Sequence, residues 1–213
     1  MTVEIRPARR EDAGFLSWVI YTAGTGNARR GIWDILIGAS PDECLLFLEL
    51  LTATEKRHLF HWSCFLIAES ETRPVAALGG YDWVVLGYDA LREAIPEVLE
   101  QIGVPEFPDH EHSNRILDCI PESLKGAWII ESVATLPAFR RRGIVDTLLD
   151  KMLERGRNQG FSLAQINILI GNSPAQAAYE KHGFRVLDEK RDRVFEEEVG
   201  SPGMLRLVKN LRE

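Results

Sequence analysis

Asn172-Ser-Pro-Ala-Gln-Ala-Ala-Tyr-Glu-Lys-His-Gly-Phe184 is the stretch on which the fold turns. It opens as a helix does: the Asn172 side chain can accept a hydrogen bond from a free first-turn N–H, and Pro174 has no N–H to leave unsatisfied. The pattern predicts a helix to His182 and a strand over residues 184–188. Upstream, residues 163–170 form an apolar run of strand length. Before them Ile144, Val145, Leu148, Leu149, Met152 and Leu153 recur on one face of a helix that ends at Gly156 or Gly160. Residues 128–135 are apolar and β-branched, predicting a central strand that stops before Pro137 and carries Glu131 inside it. Strand, helix, strand, helix, strand is thus the order of the C-terminal half, and residues 205–211 add a further strand.

The N-terminal half is consistent with one mixed sheet. Residues 3–6 alternate as a short strand, and residues 11–21 space Phe15, Leu16, Val19 and Ile20 as a helical stripe. Ser40-Pro41-Asp42-Glu43 starts a second helix that continues to Leu51. Residues 65–68 and 75–80, separated by a polar turn, predict a hairpin, with Gly79-Gly80 weakening its second strand. Residues 87–125 interrupt the alternation, helical around 90–102 and irregular over 103–113, and are expected to be an insertion or lid. The expectation is a single α/β (α+β) domain over residues 1–213.

Composition narrows the function. The 213 residues are 45% hydrophobic and 27% charged, with no apolar run near the ~18 residues of a membrane span and no signal-peptide core. Cys44, Cys64 and Cys119 are odd in number, far apart and without a CxxC pair, which suggests buried reduced thiols in a cytoplasmic protein. The net charge of −7 disfavours nucleic acid as a partner. Residues 89–123 alone carry −7, whereas residues 140–157 carry +3. Two ligands of opposite charge are suggested. Asp109-His110-Glu111-His112 has ligand-type side chains, and His58 and His61 sit three apart, but neither has a metal site's spacing. No metal is expected, and the two histidines are read as packing and capping.

Phe139-Arg-Arg-Arg-Gly-Ile-Val145 joins the buried strand to a helix start. Unpaired N–H groups, the positive end of the helix dipole and the guanidinium groups of Arg140, Arg141 and Arg142 are expected to converge there as a polyphosphate seat. Neither a Walker A loop nor a Gly-x-Gly-x-x-Gly turn is present. Arg140-x-x-Gly143-x-Val145 resembles the pyrophosphate loop of the GNAT superfamily, Gln/Arg-x-x-Gly-x-Gly/Ala, departing at its third position. Asn172-x-x-Ala175-x-x-Ala178-Tyr179 through Gly183-Phe184 is similar to that family's Asn-x-x-Ala-x-x-x-Tyr-x-x-x-Gly-Phe segment. With Val133-Ala-Thr-Leu-Pro137, the resemblance covers about residues 128–188.

The resemblance implies a mostly antiparallel, splayed sheet with helices on both faces and an acetyl-CoA-dependent N-acetyltransferase. It places Val133, Ala134 and Thr135 on the pantetheine arm, Arg140, Arg141, Arg142, Gly143, Ile144 and Val145 on the pyrophosphate, and Asn172 near the reactive end. Tyr179 would face the sulfur as the acid that protonates the departing thiolate. An amine acceptor must lose a proton before attack, and Glu131 is the candidate base, with a salt bridge or an outward-facing side chain as its alternatives. The acceptor is an amine on a small molecule or peptide; the acidic segment suggests a cationic one. A homodimer stays open. Trp18, Tyr21, Trp33 and Trp83 would flank the acceptor cleft or serve as core. The competing reading is a non-catalytic acyl-CoA-binding or sensing module, supported by the bulk of Val145.

Overall fold

The computed structural model describes residues 3–104 and 113–212. In chain order these form strand β1 (Glu4–Pro7), helices α1 (Ala13–Thr25), α2 (Ile32–Leu36) and α3 (Pro41–Thr52), and the hairpin β2 (Phe65–Ser70) and β3 (Arg73–Asp82). Helices α4 (Trp83–Leu86), α5 (Tyr88–Ile102) and α6 (Ser113–Asp118) precede β4 (Ala127–Thr135). Then come α7 (Ile144–Asn158), β5 (Leu163–Leu169), α8 (Ser173–Lys181), β6 (Arg185–Arg191), α9 (Arg193–Val199) and β7 (Gly203–Asn210). The strands make one seven-stranded sheet in the order β1-β2-β3-β4-β5-β7-β6. Of its pairings only β4 with β5 is parallel.

Strand alternation sorts the core onto two faces. Leu66, Ala68, Ala76, Leu78, Trp128 and Ile130 pack with Leu148, Leu149 and Met152 of α7 and with Tyr179 of α8. Their neighbours Phe65, Ile67, Ala77, Tyr81 and Ile129 pack on the other side with Leu16, Val19 and Ile20 of α1 and with Phe47, Leu48 and Leu51 of α3. Each such fully buried aliphatic side chain stabilises the fold by roughly 1.5–3 kcal/mol. A third cluster joins Ile35 of α2, Ile116 of α6, and Phe195 and Val199 of α9 to Leu169 and Met204 of the sheet. Helices therefore cover both faces.

The β2–β3 turn is two residues, Glu71 and Thr72, both at positive φ (50° and 67°). That is the mirror-image turn whose twist matches a hairpin. Ser40 caps α3 as the sequence indicates, accepting from the Glu43 N–H while the Glu43 carboxylate accepts from Ser40 N–H at 2.9 Å. Four helices, α2, α4, α6 and α9, are not anticipated by periodicity; each has seven residues or fewer. β6 runs past residue 188 because its pairing with β7 continues to Arg191 opposite Gly203, and with all seven residues exposed no buried face marks that extension in the sequence. The expected irregular stretch lies mostly outside the described residues, as do Glu106 and Asp109-His110-Glu111-His112. Among the described residues no helix is long and apolar enough to cross a membrane.

Candidate active site

Through Ile130, β4 is paired on both sides, to Gly80 of β3 and to Ile166 of β5. Beyond that point β5 continues with β7 alone, from Asn167 opposite Arg206 to Leu169 opposite Met204. The edge of residues 131–135 that would face β5 has no strand against it, so the sheet is splayed. The cause is a bulge. Glu131 stands opposite Gly79 and Ala134 opposite Ala77, so β4 advances three residues where β3 advances two. Ser132 absorbs the extra residue at φ 52°. The bulge also reverses the alternation, sending Val133 to the α7 face and Ala134 to the α1 face.

Outside the hairpin turn, the described non-glycine residues at positive φ are Ser132 and Arg141 (φ 59°). Backbone strain is thus placed at the splay and in the arginine loop, on either side of the Thr135 strand end. Thr135 O accepts from Arg140 Nε at 3.2 Å, while Thr135 Oγ1 is buried with no partner. Gly143 takes φ 75° as the N-cap of α7 and gives no side-chain cap, which leaves first-turn N–H groups of the helix for a ligand. A cleft of about 200 Å³ opens here, lined by Thr135, Arg140, Arg141, Gly143, Val145 and Asp146. Val145 is half-buried against the α7-face core, so its bulk is partly taken up by packing. Ile144 is buried and brings its backbone to the same turn.

The three guanidinium groups of the loop line two adjoining hollows. Arg142 lies over the Phe139 ring, 5.2 Å from its centroid, and lines a neighbouring hollow of about 190 Å³ with Val3 and Thr147. Arg140 and Arg141 are the two that line the cleft. The aromatic ring competes for the third cation.

Glu131 is held by a residue that sequence reasoning missed. Tyr81, fully buried on β3, donates its hydroxyl to Glu131 Oε2 at 3.0 Å. Oε1 is buried with no partner. Burial drives the Glu131 carboxyl up to about 8, moderated by the Tyr81 hydrogen bond. Burial and the Glu131 charge push Tyr88 up to about 12 and Tyr81 well above its ordinary value. Among the described residues the carboxylate has no arginine partner, and its Oε1 is buried rather than facing outward. The missed signal is one of register, because Tyr81 lies two residues beyond Gly79, on the same side of β3.

Tyr179 is buried on α8 with its ring edge-on to Phe184 at 6.1 Å. Its hydroxyl has no hydrogen bond among the described residues, and burial raises its pKa. Asn172 caps α8, its Oδ1 accepting from Ala175 N–H at 3.3 Å. Glu131 and Tyr179 are not in contact. They sit on opposite faces of the sheet, with the splay between β4 and β5 joining the two faces. Tyr21 and Trp33 have structural partners: Tyr21 donates to Asp34 Oδ1 at 2.6 Å, and Trp33 Nε1 to Ile20 O at 3.2 Å. Trp18 is half-buried against the same core, and Trp83 meets Tyr88 edge-on at 4.7 Å.

Residues 33–184 match the sequence model of the acetyltransferase (GNAT) family. The chain belongs to that family. It is a GNAT-type acetyltransferase, and the match extends well upstream of the motifs at residues 128–188. No curated protein matches the sequence. Among solved structures, one titled simply as an acetyltransferase shares 18% identity over 98% of this chain and 99% of its own, with a TM-score of 0.72. An N-acetyltransferase from Staphylococcus aureus Mu50 shares 22% over 97% and 100%, with a TM-score of 0.66. yncA from Salmonella typhimurium, solved with its cofactor acetyl-CoA, shares 16% over 100% and 96%, with a TM-score of 0.54. These likenesses show the mixed, mostly antiparallel open sheet of GNAT structures.

Proposed function

We propose that this acetyltransferase moves the acetyl group of acetyl-CoA to a primary amine, on a small molecule or peptide, by direct attack in a ternary complex. The observation that carries this reading is Glu131: a buried carboxyl with one oxygen unpartnered, raised to about 8, at the point where the sheet opens.

The residues present fit the cosubstrate. The loop from Arg140 to Val145 offers two arginines, the flexible Gly143 backbone and uncapped N–H groups at a cleft of about 200 Å³, suited to a pyrophosphate. The backbone of Val133, Ala134 and Thr135, without a strand on its β5 side, suits the amides of a pantetheine arm. The orphaned Thr135 hydroxyl lies between these two stretches. Bound acetyl-CoA supplies an activated thioester, so that attack by the amine forms the N–C bond, breaks the C–S bond and releases CoA as a thiolate.

Glu131 takes the proton that the acceptor ammonium must lose, directly or through water. A pKa about 8 keeps its conjugate base poised near neutral pH. Tyr81 holds one carboxylate oxygen and leaves the other for that proton. Tyr179 remains protonated in its apolar site and donates to the thiolate, whose own proton affinity the same burial raises. Asn172 braces the turn that carries Tyr179. We read the whole chain as one domain with an insertion over residues 87–125. The three buried free thiols suit a reducing cytoplasm.

Glu131→Gln should lower kcat by about 10²–10⁴-fold and abolish the rise of rate with pH towards 8, while leaving free-CoA binding intact. An unchanged pH–rate profile would remove Glu131 from the mechanism. Arg140→Ala should weaken calorimetric binding of CoA by about tenfold, the scale of one charged hydrogen bond. Absence of CoA binding to the wild type would overturn the proposed cosubstrate.

A further inference from the structure

His182 lies outside the reaction proposed above, yet it has an unusual environment. It ends α8 and is 10% exposed. Its Nε2 lies 3.0 Å from Asp146 Oδ1 and its Nδ1 3.2 Å from Asp150 Oδ1, carboxylates one turn apart on α7. The Nε2 contact is a hydrogen bond that ties the ring to Asp146, and the Nδ1 contact lies within ion-pair distance of Asp150. Lys181 of α8 takes the other Asp146 oxygen, Oδ2, at 2.5 Å. Lys209 of β7 donates to the His182 carbonyl at 2.7 Å, fixing the backbone that carries the ring.

Asp146 stands in the first turn of α7, where a negative charge suits the helix dipole, but it also lines the cleft of Arg140 and Arg141. A carboxylate free to turn there would compete with any bound phosphate for those two arginines. Lys181 and His182 prevent this by engaging its two oxygens, and their hydrogen bonds, that of Lys181 first, hold the Asp146 carboxyl below the usual range.

We propose that His182 is a positioning residue for the anion cleft: it anchors the Asp146 carboxylate that Lys181 neutralises, so that the arginine loop stays available to a pyrophosphate. The inference rests on the CoA-binding reading above. His182→Gln should weaken free-CoA binding by about three- to fivefold and raise the KM for acetyl-CoA to match, with kcat at saturation unchanged. Lys181→Gln, at a position 65% exposed where folding is not at stake, should shift both in the same direction.

The deciding measurement is a double-mutant cycle by calorimetry with CoA. In an Asp146→Asn background, which removes the charge that His182 restrains, His182→Gln should cost no further affinity. An equal loss in both backgrounds, or a loss confined to kcat, would overturn the proposal. So would a folded His182→Gln with wild-type affinity. If His182→Gln does not fold, the cycle between Lys181 and Asp146 decides on the same terms. No CoA binding by the wild type would defeat the underlying reading instead, so the two failures are distinguishable.

Discussion

The loop at residues 54–64 and the second half of β4 both bury titratable side chains, and they treat them in opposite ways. His58 and His61 are 0% and 4% exposed, and every ring nitrogen has a partner. His58 Nδ1 accepts from Phe60 N–H at 3.2 Å, and its Nε2 faces Leu51 O at 3.0 Å. His61 Nδ1 accepts from Ser63 N–H at 3.2 Å, and its Nε2 faces Thr54 O at 3.1 Å. A nitrogen that accepts carries no proton, so both rings are neutral, and burial pushes both down to about 4. On β4, by contrast, Glu131 Oε1 and Thr135 Oγ1 are buried with nothing to bond among the described residues. Satisfied burial holds a fold together. Unsatisfied burial weakens it, and at Glu131 and Thr135 it falls where the sheet opens, whereas the third such atom, Trp128 Nε1, lies in the α7-face core.

The largest effect that would test this contrast is on stability against pH. Each histidine titrates at 6.5 unfolded and about 4 folded, so its contribution is full above 6.5 and is lost as pH falls towards 4. That is on the order of 3 kcal/mol per histidine. Glu131 has the opposite sign, because its folded value of about 8 lies above its unfolded 4.5. It costs nothing below 4.5 and destabilises progressively as pH rises to about 8. The two slopes oppose each other between 4.5 and 6.5 in the wild type. Urea midpoints of Glu131→Gln should therefore exceed those of the wild type at pH 8 and approach them at acid pH, with a steeper fall through the histidine window. Equal midpoints at pH 8 would break the comparison. Asp12 and Asp146, whose pKa values are lowered, act in a separate window below 3.8.

A pair of variants sharpens the same point through turnover. Tyr179→Phe removes a hydroxyl that has no partner among the described residues, so Tm should hold while kcat falls about 10²-fold, the lower end for a lost general acid. His58→Gln should do the reverse, lowering stability by about 1–3 kcal/mol with kcat of the folded enzyme unchanged. A Tyr179→Phe enzyme as active as the wild type would move the acid elsewhere.

How much of this was legible in the sequence follows the same division. The elements around the arginine loop were readable because they are made of local signals: Asn172 at a helix start, Gly143 before another, and an apolar stripe on α7. The histidines were readable as packing and capping, and the three cysteines as buried free thiols. The bulge at Ser132 was not, because no glycine marks it and its cause is the register against β3. Tyr81 bonded to Glu131 was hidden for the same reason, the two being 50 residues apart. The Arg142–Phe139 contact escaped because charge counting treats neighbouring arginines alike and takes no account of a ring three residues away. Short helices such as α9 have no periodicity to detect, although Asp192 caps that one and Phe195 and Val199 bury its inner face.

The smallest expected effect concerns the acidic segment, whose charge favours a cationic amine as acceptor. α5 buries Ala94 and Val98 and turns acids outward, but several have structural partners. Glu93 pairs with Lys56 at 3.0 Å, Asp89 with Arg92 at 2.8 Å, and Glu97 accepts from Glu55 N–H at 3.1 Å. These acids therefore act on an incoming cation through a field already partly neutralised. Neutralising Glu97 and Glu100 together should raise the KM of a cationic acceptor only about twofold at low salt, with no effect at 0.5 M salt, where the Debye length is about 4 Å. A change that survives high salt would mean direct contact with the acceptor and would place α5 in the site. A change seen equally with a neutral acceptor would assign these glutamates to structure, beside His58 and His61 and apart from Glu131.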